Sequence, residues 1–533
     1  MRHRPAVVVA LLLGLGIATG PAPCVAEPTP SLVQPAWVEE ALVAAKENRP
    51  QLEQALARAR ALGAAEAAAM EFLVANMPGK GYVVFALKTQ QDGKEPKGTV
   101  VPFDPLSYPD FKAAKDALDA IEKAHGTVEF ERDRFVPDVE TLSADFLVRH
   151  VEHALRAWRT PPPAHRVSFE VFLRQILPYR GSEEPAQDWL TPCMARYAEL
   201  PAEVAADPTP TKVLGWVGAD VGRRVPFDER WYLHPTDQSF SEMEKSHGGR
   251  CEDITNATTF AARARGLAIA QDFTPRWGHR DNNHAWPVLL DAQGRGAAPE
   301  QGHAAKVYRK TFEIQRDGLW SRLPKGREAP NRWIEGRACV DVTAQYGPTS
   351  DIEIAVDPAT AKDERVVYLC VFSGGEWFAM DHALLDLNQG TATFRALGRG
   401  GPLGGMLWLP AVHDGKALVP VGPPFLLRAD GRVERFAGCE SRESLVVTAT
   451  LPEQQSADTK AVTPPTHLRP GATYRLQRWD GAWTTVKEFV AGPDAPRFDD
   501  LSGSRLWWLV EQDGRTEHLE RPFSIEDGRQ RFW

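Results

Sequence analysis

Along residues 36–75 apolar side chains return at close to the helical period, with Ala, Leu, Glu and Arg filling the positions between them. The pattern predicts two helices broken near Pro50, which cannot sit inside one. FKAAKDALDAIEKAHG at 111–126 repeats the pattern, with Gly126 as its stop. LSADFLVRHVEHALRAWR at 142–159 does so with Ser143 as N-cap. After TPPPAH breaks the chain, SFEVFLRQILPYR at 168–180 predicts a helix running to Pro178.

Past residue 330 the pattern shortens to β-like runs: VVYLCVF, TATFRAL, GMLWLPAV, PFLLRADGRVERF, SLVVTATL and TYRLQRWDGAW. Asp-Gly pairs at Asp414, Asp430, Asp480 and Asp513 mark turns between them. This spacing predicts two β-sandwich-like modules, with the polar, Pro-containing segment 452–471 as their linker. Trp479, Trp483, Trp507 and Trp508 could form a ligand platform, but packing in a core is the expected role.

Length and charge narrow the picture further. A chain of 533 residues is long for one core and implies three or four domains. A net charge of −9 gives no reason to expect nucleic acid or anionic lipid as a partner. The start, MRHRPAVVVALLLGLGIATGPAPCVAE, has a basic head, a short apolar stretch and small residues before Glu27. It reads as a secretory signal peptide over 1–26, too short to span a membrane. PAPC is a poor match to a lipidation signal at Cys24, and no later segment reaches membrane-spanning length. The expected location is therefore periplasmic or extracellular. Without Cys24 five cysteines remain, an odd number that leaves a free thiol or an intermolecular bridge.

Candidate chemistry concentrates in SHGGRCEDITNATTFAARARGLAI, residues 246–269. Gly248 and Gly249 permit a tight backbone approach, and the apolar spacing after them predicts a helix stopped by Gly266. Cys251 then falls in the first helical turn, where free N–H groups and the macrodipole favour a thiolate. Downstream, HAWPVLL alternates like a strand beginning at His284, although Pro287 lacks an N–H and implies an edge or an irregularity. A polar turn, DAQGRG, leads to a second extended run ending near Glu300. A cysteine on a helix, a histidine on a strand and a carboxylate on the returning strand would compose a thiol triad. The rival reading is zinc held by His247, Cys251, His279 and His284, but neither pair has a common finger spacing. No metal and no cofactor is expected.

GGRCEDITNATTFAARARGLAI followed by HAW resembles the transglutaminase-like superfamily of papain-type folds. SADFLVRHVEHALRAW, SFEVFLRQILPYRGSEEPAQDWL and KVYRKTF resemble exported bacterial proteins carrying that domain, and the likeness covers roughly 135–315. The resemblance implies Cys251 as nucleophile and His284 as general base. The family's Trp-x-x-x-Asp-Pro segment is missing; its position falls on Glu300, with Asp291 as the alternative third member.

The expected fold is multidomain α+β. It comprises a helical region at 27–134, a papain-like transglutaminase core at 135–318, and β-rich modules at 335–450 and 465–533. The expected function is that of an exported cysteine-dependent amide hydrolase acting on peptides or amide-containing polymers, with carbohydrate as a further partner of the β-rich modules. The alternatives are protein-glutamine acyl transfer and a non-catalytic scaffold with a degenerate core.

Overall fold

The computed structural model describes residues 33–533, apart from 91–95, 163–164, 324, 358–360, 362–363, 400, 402–403, 437–441, 450–466, 513–516 and 520. The signal-like segment 1–26, Cys439, the turn at Asp513 and most of the proposed linker lie outside the described residues.

The first helical stretch forms three helices rather than two: Pro35–Ala44, Arg49–Leu62 and Ala64–Ala75. Pro50 sits in the first turn of the second helix, where its missing N–H leaves no bond unmade. Gly63, costly inside a helix, makes the additional break. Phe111–His125 closes on Gly126 at φ +87°, and Ser143 Oγ accepts from the Phe146 amide to cap Ala144–Arg159. The helix at Phe169–Gln175 stops earlier than the pattern predicts, because Pro178 disfavours helical backbone at Leu177.

Of these, Ala144–Arg159 packs on the Cys251–Ala264 helix, together with helices Leu190–Arg196, Pro210–Arg224 and Phe240–Ser246. One apolar core joins Leu52 and Phe72 to Leu147, Phe172, Trp189, Phe260 and Ile269, and so crosses residue 134. The helix ends as its sequence implies: Leu267 N–H reaches Ala262 O (3.1 Å) and Gly266 N–H reaches Arg263 O (2.9 Å). This is a Schellman closure with Gly266 at φ +70°.

Beside the helix lies a four-stranded antiparallel sheet, ordered His284–Leu289, Ile269–Thr274, Tyr308–Lys310, Cys339–Asp341. Farther along, an eight-stranded and a six-stranded antiparallel sheet carry the β-rich half. Trp479, Trp508 and Trp533 pack into a shared core with Tyr368, Cys370 and Leu407 between them. Trp507 faces the opposite side, among Leu476 and Phe523. These tryptophans are core residues, and the chain is a multidomain α+β protein. Among the described residues no helix is long and apolar enough to cross a membrane, and Cys193, Cys251, Cys339 and Cys370 are all free thiols.

Candidate functional site at the start of the Cys251 helix

The glycine pair does what a close approach requires. Gly249 N–H donates to Pro226 O (3.0 Å) and its carbonyl accepts from Asp228 N–H (2.9 Å). A Cβ at Gly249 would lie 2.7 Å from Cβ of Asp253. Asp253, completely buried, accepts from the backbone N–H groups of Gln238 (2.8 Å) and Arg250 (3.0 Å) and from Gln238 Nε2 (3.2 Å). Burial first, and the charge of Asp237 second, push its carboxyl up to about 6. Asp253 is thus a buried cap rather than a solvated residue. Arg250 precedes the helix and donates to Asp237 (2.8 Å) and to His234 O (3.1 Å).

Cys251 is the first residue of the helix and is half-buried. Its S–H donates to Glu252 Oε2 at 3.0 Å. Glu252 accepts in turn from Asn283 Nδ2 at 2.6 Å. The helix start was expected to lower the thiol pKa. Burial, followed by the Glu252 charge, instead raises it well above the ordinary range and keeps the resting group a thiol. Tyr232 shares this environment and is pushed up to about 12, by burial first and then by the charges of Cys251 and Glu252.

His284 opens the strand His284–Leu289, opposite Thr274. The next residue, Ala285, turns its N–H and C=O toward the helix, where the C=O accepts from Thr255 Oγ1 (3.2 Å). Those groups point away from the neighbouring strand. Pro287, two residues on, falls on the same outward side of an edge strand, where no partner needs its missing N–H. The His284 ring lies 5.4 Å from Trp286 and 6.1 Å from Trp277, stacked on the latter. Trp277 is buried and stacks on His303 at 4.7 Å.

The loop between the two strands is braced by the β-rich half. Fully buried Arg521 donates to Gly278 O (2.8 Å), Phe372 O (2.7 Å) and Trp533 O (2.7 Å), tying three regions together. Gly374 N–H donates to Asp281 (2.6 Å), and Ser373 Oγ to Arg280 O (3.2 Å). Trp277 N–H closes on Asn282 O (3.0 Å), with Asn282 left-handed at φ +75°, a conformation asparagine tolerates.

The expected third members lie elsewhere. Glu300 sits exposed on a 3-10 turn, Pro299–Gln301, not on a strand, and its carboxylate bonds no described side chain. Pro299 starts that turn, and the strand that returns beside Ile269–Thr274 is Tyr308–Lys310. Asp291 is exposed and occupied by its own turn, accepting from the Gln293 and Arg295 amides (2.9 Å each). Asp272 is buried and gives both oxygens to Arg309 (2.8 and 2.9 Å), one also accepting from Tyr346 Oη (2.7 Å). His247 caps the preceding helix at φ +49°, out of helical register with Cys251. Among the described residues no group of three or more His, Cys, Asp or Glu is arranged to hold a metal.

The pairing of Glu252 with the thiol was not foreseen. The sequence signal was adjacency alone, and Asn283 fixes the orientation. No family model matches the chain, and no curated protein matches it.

Proposed function

We propose that the protein is an exported cysteine-dependent hydrolase of amide bonds, built on a transglutaminase-like, papain-type core, with Cys251 as nucleophile and His284 as base. The observation that carries this reading is the 2.6 Å bond from Asn283, the residue before His284, to Glu252, the residue after Cys251, which joins the helix start to the head of the His284 strand. His284 takes the thiol proton while sulfur attacks the amide carbonyl. The imidazolium then returns that proton to the leaving amine, giving a thioester. Water, deprotonated by His284, releases the acid and the free thiol. Trp277 and Trp286 flank the imidazole in this reading, while Glu300 and Asp291 lie exposed on turns of their own. The basic, apolar, small-residue order of the first 26 residues supports export.

The raised thiol pKa favours a second reading, a non-catalytic binding protein with a degenerate core. Turnover of a peptide and amide library by the mature protein separates the two. Hydrolysis lost in Cys251→Ala supports the enzyme. Hydrolysis unchanged in that variant removes Cys251 from the chemistry, and absence of hydrolysis on every substrate supports the scaffold. Release of ammonia with amine incorporation would mark acyl transfer instead.

A further inference from the structure

On the flank of the Cys251 helix, away from the thiol, lies a cavity of about 730 Å³ between residues 78–83, 174–183 and 310–339, also lined by Arg263, Gln271 and Phe273. Eight Lys or Arg side chains line it, against three carboxylates, so its walls carry an excess of positive charge. Several of these cations are paired with carboxylates, but Lys80, Lys310, Arg263 and Arg332 have none within ion-pair distance among the described residues. Lys80 Nζ has only the Phe312 ring, 4.7 Å away. Lys310 Nζ donates to Ser182 Oγ at 2.5 Å. Arg263, 5% exposed, donates only to the backbone carbonyls of Gln175, Pro178 and Arg180. Arg180 is 4% exposed and engages Asp138, yet its Nη1 is buried with no hydrogen-bond partner among the described residues. Trp333 Nε1 is a second buried donor without an acceptor.

Buried cations and donors left in this state are stabilised by an incoming acceptor of opposite charge. Burial draws the Lys80 ammonium down to about 8, against the opposing charges of Asp138 and Glu183. The volume falls within the range of small-molecule pockets, roughly 300–1,000 Å³.

We propose that this cavity binds a small organic anion. Its carboxylate or phosphate is held by Lys80, Lys310 and Arg180, and its apolar body lies against Phe273, Phe312 and Trp333. The site is independent of the chemistry at Cys251. Calorimetric titration of the full protein with 2-naphthoate, 2-naphthyl phosphate and neutral 2-naphthamide tests it. At least one anion is expected to bind one-to-one and at least about tenfold more tightly than the amide. The tighter of the two anions identifies the group recognised. Lys80→Met and Lys310→Met should each weaken that binding by about tenfold or more, with Cys251→Ala unchanged. In the wild-type protein, raising the salt should weaken anion binding and leave amide binding alone. Equal affinity for anion and amide, no anion binding, salt-independent binding, or full affinity in the folded lysine variants would each overturn the proposal.

Discussion

The two sides of the Cys251–Ala264 helix present opposite electrostatics under the same burial. At its start, a thiol is packed against a carboxylate, Glu252, and its pKa rises. On its flank, Lys80 faces an aromatic ring, and burial lowers its pKa despite the charge of Asp138. In both places desolvation is the leading cause and opposes the charged form, so its direction follows the sign of the group's charge. Burial therefore keeps the candidate nucleophile uncharged at rest, and leaves the cavity's cations in need of an anion. Elsewhere in the same core, Asp272 and Arg309 show a buried charge pair that is internally complete. The thiol site and the cavity lack that internal completion.

Experiments that break this contrast can be ranked by size. Replacing His284 with Ala should lower amide turnover about 10²–10⁴-fold, the usual contribution of a positioned base, read as kcat on any substrate the library identifies. An unchanged kcat would remove His284 from the chemistry.

Next comes the carboxylate on the thiol. Because Glu252 raises the thiol pKa, Glu252→Gln should lower it. A shift of about one unit makes iodoacetamide alkylation of Cys251 about tenfold faster at neutral pH. In the wild-type protein the rate should climb with pH without levelling below about pH 9, since the thiolate fraction is still growing there. A plateau near neutrality would mean the thiol is already ionised.

A smaller effect is expected at the far end of the helix. Gly266 is left-handed, and a Cβ there would stand 2.2 Å from Ala157 O. Gly266→Ala should destabilise the fold by about 2 kcal/mol, measured as a lower thermal midpoint. The smallest effect concerns Glu300: exposed and unbonded, it should tolerate Glu300→Gln with less than about a twofold change in kcat. A loss near that of His284→Ala would restore it as the orienting carboxylate.

What the sequence made legible were features written within a few residues. The cap at Ser143, stops at Gly126 and Gly266, Cys251 at a helix start and the edge position of Pro287 all follow from local rules. Three features needed the fold. The Glu252–thiol contact depends on Asn283, thirty-one residues away in the chain. The bracing of the His284 loop by Arg521 spans 243 residues. The cavity is assembled from three separated segments, none of which is conspicuously basic in the chain. Glu300 was misjudged for a related reason: a polar run containing Pro299 could be read as extended, and nothing local revealed that it turns.

The most direct test is to trap the acyl-enzyme. The mature protein is mixed with an activated amide or ester, quenched in acid within one turnover, and examined by intact mass and peptide mapping. A thioester on Cys251 in the wild-type protein, absent from Cys251→Ala and much slower to form in His284→Ala, is the expected result. An acyl group carried elsewhere, or equal labelling in all three proteins, would contradict Cys251 as the nucleophile.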